Sequence, residues 1–495
     1  MSTPEYLDSS DGTPQRTGGR RTPWIVGGAV AAVALLGGGA WAAWSFFSTG
    51  PQPAEALPAS TVAYASVDLD PSGGQKIEAL RTLRKFPAFR EDIGLGTDDD
   101  VRKWLFEKAQ DSGTCPDLDY GDDVEPWLGD RMAVAAVDTG EDTPAPVLVL
   151  QVSDEDAAGA GLAKIRDCGG EDLAWSMSDG WALLGETQDV VDEVAADAGD
   201  TPLSDDADFQ HWTDEAGGDG IASFYVSPDA GGLLADQLDG AVTDELGGEM
   251  SGQVDDRLRD FGGMAATVRF SDGALELEVA ADPGDAESAM DGSTAGDDVV
   301  ATLPEDTAAA VGFGLTKGWL GDLVDADLMK QLEEESGLDL PDDVETLLGS
   351  SAALAVSGDM DPEAVLQSSD GSDVPVGLKV KGDADAISDV VDKMGGPFEV
   401  DVDEDMVAIG PDAGYRDELL QGGDLGDTDA FRHAVPDAGD AAALLFVDFD
   451  AGSWLDKLAA DDQDVADNLA PLEAAGLSVA ASDGTMHAVL RITTG

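Results

Sequence analysis

The chain has 495 residues, with 26 lysines and arginines against 103 aspartates and glutamates, so its formal net charge at pH 7 is −77. A surface with this charge repels phosphate backbones and attracts cations, which excludes nucleic acid as a partner. Apolar residues still make up 42% of the chain, enough to form a folded core. The acidity has two interpretations: general solubility in a salty exterior, and loose binding of cations.

The N-terminal region contains one long apolar run. Residues 1–23 are polar and predict a disordered cytosolic tail. Residues 24–47 carry no charge and exceed the roughly 20 residues that a bilayer-spanning helix needs. No lysine or arginine follows this run until Lys76, whereas three arginines precede it: Arg16, Arg20 and Arg21. The positive-inside rule therefore predicts a single-pass protein of the cell membrane, with its N-terminus cytosolic and its C-terminal ectodomain outside. The alternative is a cleaved signal peptide, whose apolar core is usually only about 7–15 residues long.

The remainder of the chain contains an internal duplication. A short linker, residues 48–56, precedes ectodomain unit one, residues 57–282. A second linker at 283–302, rich in Gly, Asp and Ser, leads to ectodomain unit two, residues 303–495, which repeats unit one.

Six blocks occur in the same order in both units. The clearest block is DYGDDVEPWLG at 119–129 and DLPDDVETLLG at 339–349. Both units close with a strand, a Ser-Asp-Gly turn and another strand, with the turns at 271–273 and 482–484. Six matches in the same order are hard to obtain by chance, so we expect the two units to share one fold.

The pattern of each unit is strand, helix, strand, strand, helix, strand and a closing hairpin. Together with the apolar run, it predicts an α+β protein with one N-terminal transmembrane helix followed by two repeated α+β units, whose sheets are largely antiparallel. The segment EVDVDEDMVAIG at 399–410 predicts a strand. Paired aspartates before helical stretches, at 154/156 and 383/385, predict caps for helix N-termini.

The chain has two cysteines, Cys115 and Cys168, both in unit one on the predicted outer side. An oxidising compartment favours a disulfide between them. Closing a loop of about 50 residues would stabilise the fold by about 4 kcal/mol. The alternative is a pair of buried free thiols.

One segment departs from the overall acidity. This basic cluster consists of Lys76, Arg81, Arg84, Lys85, Arg90, Arg102, Lys103 and Lys108. Apolar residues at helical spacing predict two amphipathic segments, 77–89 and 101–109. The cluster either rests on anionic lipid headgroups, where each charge adds about 1 kcal/mol, or docks on the protein's own acidic surface. Internal docking is the preferred prediction because carboxylates are so numerous.

Three segments of unit one also resemble a known family: LPASTVAYASVDLDPSGGQ at 57–75, ALRTLRKFPAF at 79–89 and KWLFE at 103–107. They are similar to an actinobacterial family of single-pass membrane proteins that carry a domain of unknown function. The resemblance covers about residues 57–495 and is most specific in unit one. It implies an envelope protein with one membrane anchor, and it supplies no catalytic residues.

No segment has a catalytic or metal-binding motif of the zinc HExxH, GxSxG or GxxxxGK[ST] type. His211 and His433 occupy matching positions in the two units, which favours a structural role. A calcium loop starting at Asp68 would need a bidentate acid at its twelfth position, which is Ala79. The sequence therefore predicts no catalytic, cofactor-binding or metal-binding residues.

These observations predict a membrane-anchored extracytoplasmic protein of the cell envelope that is a non-enzymatic binding or structural module. Its expected partners are the membrane through its own anchor, loosely bound cations and an envelope component of unknown identity. The alternatives are a carboxylate-dependent extracytoplasmic hydrolase and a carrier or scaffold for apolar envelope molecules. Two isolated carboxylates about 5–10 Å apart in a cleft would favour the hydrolase, and a deep apolar groove would favour the carrier.

Overall fold

The computed structural model describes residues 51–68, 74–94, 99–111, 115–141, 143–169, 173–217, 220–238, 256–290, 293, 296–314, 316–323, 326–360, 374–452, 454–459 and 462–495. The predicted tail and transmembrane run, residues 1–23 and 24–47, lie outside these ranges. Within the described ranges, no helix combines the length and the apolar character needed to cross a membrane.

The strands build the central sheet of the fold, and in some of them, such as Leu128–Val137, buried residues alternate with less buried ones. Those before residue 300 are β1 Thr61–Asp68, β2 Leu128–Val137, β3 Ala145–Val152, β4 Ala174–Ser178, β5 Trp181–Gly185, β6 Ala222–Val226, β7 Met264–Ser271 and β8 Ala274–Ala281. Those after residue 300 are β9 Thr307–Phe313, β10 Ser351–Ser357, β11 Val376–Lys381, β12 Glu399–Asp403, β13 Met406–Gly410, β14 Ala443–Asp448, β15 Leu472–Ser482 and β16 Thr485–Thr494. We call these two sets and their helices the first half and the second half.

Helices connect the strands in both halves. In the first half they are α1 Gly74–Leu83, α2 Val101–Asp111, α3 Glu155–Gly169, α4 Gln188–Asp200, α5 Ala207–Glu215, α6 Asp229–Leu238 and α7 Glu287–Met290. In the second half they are α8 Trp319–Leu323, α9 Ala326–Ser336, α10 Asp342–Leu348, α11 Ala384–Met394, α12 Ala413–Gln421, α13 Asp429–Ala434, α14 Trp454–Leu458 and α15 Gln463–Leu469. The predicted aspartate caps are confirmed: Asp154 Oδ1 accepts from Ala157 N at 2.9 Å, and Asp383 Oδ1 accepts from Asp385 N and Ala386 N.

All the strands form one antiparallel sheet, in the order β12-β13-β11-β10-β9-β14-β15-β16-β8-β7-β6-β1-β2-β3-β5-β4. Outward from the middle, the first half has the order β8-β7-β6-β1-β2-β3-β5-β4 and the second half has the order β16-β15-β14-β9-β10-β11-β13-β12. Each strand of the second half thus has the same position in its half as the first-half strand whose number is lower by eight. For example, β9 corresponds to β1 and β16 corresponds to β8. An α+β fold with antiparallel pairing is confirmed, and the sheets of the two halves are continuous through the pairing of β8 with β16.

Each half packs apolar clusters on both faces of its strands, and the largest cluster of each half is its main core. Trp181, Trp212 and Tyr225 belong to the first core, and Phe431 and Phe446 belong to the second. Matching leucines of the duplicated blocks are fully buried in both cores, at Leu57 and Leu203 and at Leu303 and Leu425. These leucines therefore hold equivalent connecting segments against the core in both halves.

Two segments differ from the simplest interpretation of the sequence. The prediction of a single strand at 399–410 is wrong, because β12 and β13 form a hairpin there. The hairpin turns at Glu404, whose φ is +54°. The segment 283–302, predicted as a linker, contains α7 and buries Val299 and Val300 completely. The described parts of this segment therefore pack into the fold.

Candidate functional site

The basic cluster lies on α1, on the turn that follows α1 and contains Arg84 and Lys85, on the helical turn Phe89–Ile93 and on α2. The side chain of Lys76 is outside the described part of the structure. The other cations fall into two groups: Lys85 and Arg102 make contacts with distant parts of the chain, and the rest are exposed.

Arg102 is the most firmly docked member of the cluster. Its Nε and Nη2 donate to the two carboxylate oxygens of Asp100, both at 3.0 Å, and its Nη1 donates to Leu128 O and Asp130 Oδ1, both at 2.9 Å. The Tyr120 hydroxyl donates to Asp100 Oδ2 at 2.7 Å. Burial by itself would raise the pKa of the Asp100 carboxyl, but hydrogen bonds from Arg102 and Tyr120 outweigh burial and lower that pKa. This network fastens the start of α2 to the start of β2.

Lys85 connects the cluster to the last strand of the chain. Its Nζ donates to the carbonyl oxygen and to the hydroxyl of Thr494, both at 2.8 Å. Nearby, Ala88 N donates to Asn468 Oδ1 at 2.8 Å. The segment after α1 therefore lies across the junction between the two halves.

The remaining cations of the cluster have local or exposed positions. Arg81 pairs with Glu78 at 2.7 Å, and Lys103 and Lys108 approach Glu107 and Asp111 only at 3.9 Å. The Arg84 and Arg90 residues are exposed. Ion pairs between exposed side chains contribute little to stability. Lys85 and Arg102 therefore dock on distant parts of the chain, whereas Arg81, Lys103 and Lys108 make only local ion pairs.

Cys115 and Cys168 form the predicted disulfide, which is confirmed with a Cα–Cα distance of 5.3 Å. Cys115 is buried and precedes the helical turn Tyr120–Val124, whereas Cys168 is exposed near the end of α3. The bond ties the end of α3 to the connection between α2 and β2.

His211 lies on α5, His433 on α13 and His487 on β16. His211 and His433 are exposed, and His487 Nε2 approaches Glu215 Oε2 at 3.4 Å. In the described ranges, no group of three or more His, Cys, Asp or Glu side chains is placed to hold a metal ion.

One ion pair occurs at the same place in both halves. Lys164 on α3 pairs with Asp123, and Lys393 on α11 pairs with Asp343 at 2.9 Å. Both lysines follow by ten residues the aspartate that precedes their helix. Both Asp123 and Asp343 also accept a backbone hydrogen bond from the aspartate four residues earlier, at 2.9 and 2.8 Å. Because the chain has only 26 basic residues, two such matching lysine–aspartate pairs indicate equivalent positions in the two halves.

The second half also contains a buried polar network that the sequence analysis missed. Lys379 is 3% exposed and donates to the Thr302 carbonyl and hydroxyl oxygens at 3.0 and 2.9 Å. It takes the place of Val149, because Ala353 pairs with Lys379 as Ala133 pairs with Val149. The signal was a charged residue in the second-half copy of an apolar strand block, VGLKV at 376–380 against PVLVL at 146–150.

Arg416 is a second such position. It is 3% exposed and replaces Val191, each lying six residues after the glycine that ends a strand. Its guanidinium donates to Asp401 Oδ2 and Gly410 O at 2.7 Å and to Glu399 Oε2 at 2.8 Å. The outer edge of the second half is therefore held by ionic contacts, where the first half uses apolar ones.

Residues 25–178 match a family described as "Protein of unknown function (DUF3352)". This confirms, over part of the chain, the resemblance to proteins with a domain of unknown function. No curated protein matches the chain. Among solved structures, crystal form III of TP0453 is 7% identical, covers 74% of this chain and 93% of its own, and has a TM-score of 0.23. Crystal form I of TP0453 is 9% identical, covers 48% of this chain and 81% of its own, and has a TM-score of 0.21.

Proposed function

We propose that this chain is a membrane-anchored extracytoplasmic protein of the cell envelope, of the actinobacterial type that its sequence resembles. In this proposal residues 24–47 span the membrane once and residues 1–23 are cytosolic. The ectodomain is a non-enzymatic module that binds or organises other envelope components. It acts without a catalytic role because the sequence carries no catalytic motif.

The observation that carries the proposal is the disulfide between Cys115 and Cys168. Disulfides persist in oxidising compartments and are rare in the cytosol. Both cysteines of the chain are used in this one bond. A bonded pair downstream of an uncharged run with arginines on its N-terminal side supports an ectodomain outside the cytosol.

We also infer that the ectodomain consists of two repeats of one unit, residues 57–282 and 303–495. The repeated strand order and the two equivalent lysine–aspartate pairs support this inference. The basic cluster is assigned to internal docking and not to the membrane surface. The contacts of Lys85 with Thr494 and of Arg102 with Asp100 support that assignment.

Topology reporters test the proposal. A reporter that is active only outside the cytosol, fused after Gly495, should be active, and the same reporter fused after Arg16 should be silent. The full-length chain should remain in the membrane fraction. If a reporter that works only in the cytosol were active after Gly495 and the outside-only reporter were silent there, the proposed topology would be contradicted. Release of a shortened ectodomain would instead indicate a cleaved signal peptide.

A further inference from the structure

The two outer edges of the sheet differ in how far the chain covers them. β4 is the outermost strand of the first half, and β12 is the outermost strand of the second half. Each forms a hairpin with a two-residue turn and pairs in the same register. Ser178 lies opposite Trp181, and Asp403 lies opposite Met406. The two edge strands therefore have equivalent positions, and they differ in their side chains and in the helices beside them.

One side chain of the first half closes the edge of β4. In an antiparallel hairpin, residues that bond to the neighbouring strand alternate with residues whose N–H and C=O groups point away from it. The two-residue turn makes Trp175 one of the residues that point away. Gln188, at the start of α4, reaches this edge, and its Nε2 donates to Trp175 O at 3.1 Å. An incoming strand would have to break this hydrogen bond.

The edge of β12 has no such side chain. Val400 takes the place of Trp175 in the register of the hairpin. Ala413 takes the place of Gln188, since each lies three residues after the glycine that ends the inner strand of its hairpin. An alanine side chain has no hydrogen-bond donor. Among the described residues, no side chain donates to the outward carbonyl groups of Val400 and Val402.

The helix beside each edge strand increases the contrast. α3 has 15 residues, whereas the equivalent α11 has only 11. The last turn of α3 carries Cys168, which is bonded to Cys115. Ile165 on this helix and Leu173 and Met177 at the edge are partly buried in one apolar cluster. The first edge is therefore packed against a longer helix that a disulfide holds in place.

The equivalent residues of the second half are exposed apolar side chains. Phe398 and Val402 are 44% and 48% exposed, and Met394 at the end of α11 is 46% exposed. They take the places of Leu173, Met177 and Ile165, in that order. Three of the eight large apolar residues that are exposed in the described ranges thus lie within nine residues of one another. A group of exposed apolar side chains is typical of an interaction surface.

The opposite face of β12 is acidic. Side chains of a strand alternate between its faces, so Glu399, Asp401 and Asp403 lie on the face away from Val400. Arg416 pairs with Glu399 and Asp401. One guanidinium against three carboxylates leaves this face with net negative charge. A strand added at this edge would therefore meet apolar side chains on one face and negative charge on the other.

We propose that β12 is a docking strand for an extended segment of a partner protein in which apolar and basic residues alternate. The segment adds to the sheet as one more antiparallel strand and bonds to the outward N–H and C=O groups of Val400 and Val402. Its apolar side chains cover Phe398, Val402 and Met394, and its lysines or arginines face the carboxylates. This rests on the binding role proposed above and gives that role a surface and a partner chemistry.

A second copy of this chain is unsuited to this edge. Two β12 strands pairing with each other would bring like charges together across the strands, which is destabilising. The β4 edge of another copy is already closed by Gln188. The net charge of −77 also opposes the association of two copies. The carboxylates of β12 therefore act against self-association and favour a basic partner.

Binding of a synthetic strand tests the proposal. The probe is an acetylated and amidated heptapeptide that alternates lysine and valine. It is titrated by calorimetry into the full-length protein in nonionic detergent, at about 150 mM salt, which screens general attraction to the acidic surface. One peptide should bind per chain, because only one edge is open. A peptide with the same residues in separate blocks should bind about tenfold more weakly or worse.

This test gives its answer independently of the membrane topology. Purified protein exposes both sides of the membrane, so an unexpected topology in cells would leave the binding result unchanged. Failure of the peptide to bind would overturn the docking strand and leave the proposed membrane anchor untouched.

Methylated peptides separate strand pairing from attraction between charges. In antiparallel pairing the valines of the probe lie opposite Val400 and Val402. Their N–H groups then bond to β12, whereas the lysine N–H groups point away. Methylating the valine nitrogens should therefore abolish binding, and methylating the lysine nitrogens should preserve it. Equal affinities of the two methylated peptides would show that charge alone attracts the probe, and would overturn the proposal.

Matched variants locate the site. Val402→Pro removes an N–H that the sheet does not use, and edge strands tolerate proline, so the variant should fold and bind the peptide about tenfold more weakly. Met177→Pro, at the equivalent position of β4, should leave binding unchanged. Ala413→Gln, at an exposed position, should recreate the contact that closes the first edge and also weaken binding.

Three results with these variants would contradict the proposal. Equal losses in Val402→Pro and Met177→Pro would show that the peptide does not select the second edge. Two peptides bound per chain would show that both edges are open. A dimer of the full-length chain that Val402→Pro converts to a monomer would assign the edge to a second copy.

Discussion

Glu278 and Val489 lie directly opposite each other where β8 pairs with β16. These two residues hold the same position in the two halves, since each follows the aspartate of its Ser-Asp-Gly turn by six residues. A residue that faces its own equivalent lies on a two-fold axis. The junction between the two halves is therefore centred on such an axis.

The rest of the ladder has the same symmetry. Leu275 pairs with Ile492, and the equivalents of these two residues, Met486 and Ala281, pair with each other. In a symmetric dimer, residue i of one subunit contacts residue j of the other and the reverse contact is also made. The two halves of this chain are joined in the way that the subunits of a two-fold dimer are joined.

Ionic contacts beside this axis give a first prediction. Glu276 lies 3.4 Å from Arg269 Nη1 and 3.8 Å from Arg491 Nε, and both Glu276 and Arg491 have side chains only 14% exposed. Arg491→Gln should lower the free energy of unfolding by about 2 kcal/mol, because Glu276 then loses one of two cations while it stays largely buried. Arg432→Gln, whose side chain is 54% exposed, should cost under about 0.5 kcal/mol. Urea unfolding measures the free energy of unfolding of both variants. Equal losses in the two variants would contradict a stabilising contact between Arg491 and Glu276.

Two neighbouring residues of the basic cluster give a second prediction. Arg102 is 18% exposed with bidentate contacts to Asp100, whereas the Lys103 side chain is 57% exposed. Arg102→Gln should destabilise the protein by about 2 kcal/mol, and Lys103→Gln should change stability by under about 0.5 kcal/mol. Docking on lipid would instead make both variants equally stable and equally poor at binding anionic vesicles.

The Arg102 effect should depend on pH in a defined direction. Arg102 contributes to lowering the pKa of Asp100 in the folded state. A lowered carboxyl pKa stabilises the fold above the ordinary value of 3.8, and this contribution is lost as pH falls through the lowered pKa. The stability difference between wild type and Arg102→Gln should therefore be constant near neutral pH and shrink below about pH 4. A difference that grows in acid would be inconsistent with this network.

Lys379 gives a third prediction, at alkaline pH. Burial lowers its pKa below the ordinary value of 10.5. Between the lowered value and 10.5 the unfolded chain binds a proton that the folded chain does not, so the free energy of unfolding rises with pH in that window. Lys379→Met should lack this rise, which unfolding curves at pH 7 and pH 10 would detect. Adding Thr302→Ala recreates the apolar pair of the first half and should recover stability at pH 7. Identical pH profiles for wild type and Lys379→Met would contradict the assignment.

The disulfide gives a fourth prediction. Cys115 and Cys168 are 53 residues apart, and a loop of that length implies about 4 kcal/mol of stabilisation in the chain-entropy model. The double variant Cys115→Ser/Cys168→Ser should lose about that amount in urea unfolding, and adding a reductant should affect wild type but not the variant. Coincident unfolding curves for wild type and the double variant would show that the bond contributes nothing.

The sequence predicts the fold class because its signals are local. Alternating apolar residues and Asp-Gly turns specify antiparallel strands, and Asp179, Asp272 and Asp483 do adopt the positive φ that such turns require. The hairpin at 399–410 was missed because its turn contains Glu404 and Asp405 in place of glycine. The period-2 pattern therefore continues through the turn without interruption.

The junction of the halves and the role of each cation could not be predicted in this way. β8 and β16 pair over a sequence separation of more than 200 residues, and no local pattern specifies such pairing. Lys85 and Arg84 are adjacent, but only the position of Thr494 in the folded chain makes Lys85 a docking residue. The sequence identifies which residues are charged, and the packing determines which charges are used.

Thiol labelling in intact cells tests the proposed topology most directly. The two native cysteines are bonded to each other, so an introduced cysteine would be the only free thiol of the chain. Ser482→Cys, at an exposed position of β15, should react with a membrane-impermeant maleimide in intact cells, whereas Ser9→Cys should react only after permeabilisation. Labelling of Ser9→Cys in intact cells, with Ser482→Cys protected until permeabilisation, would contradict the account.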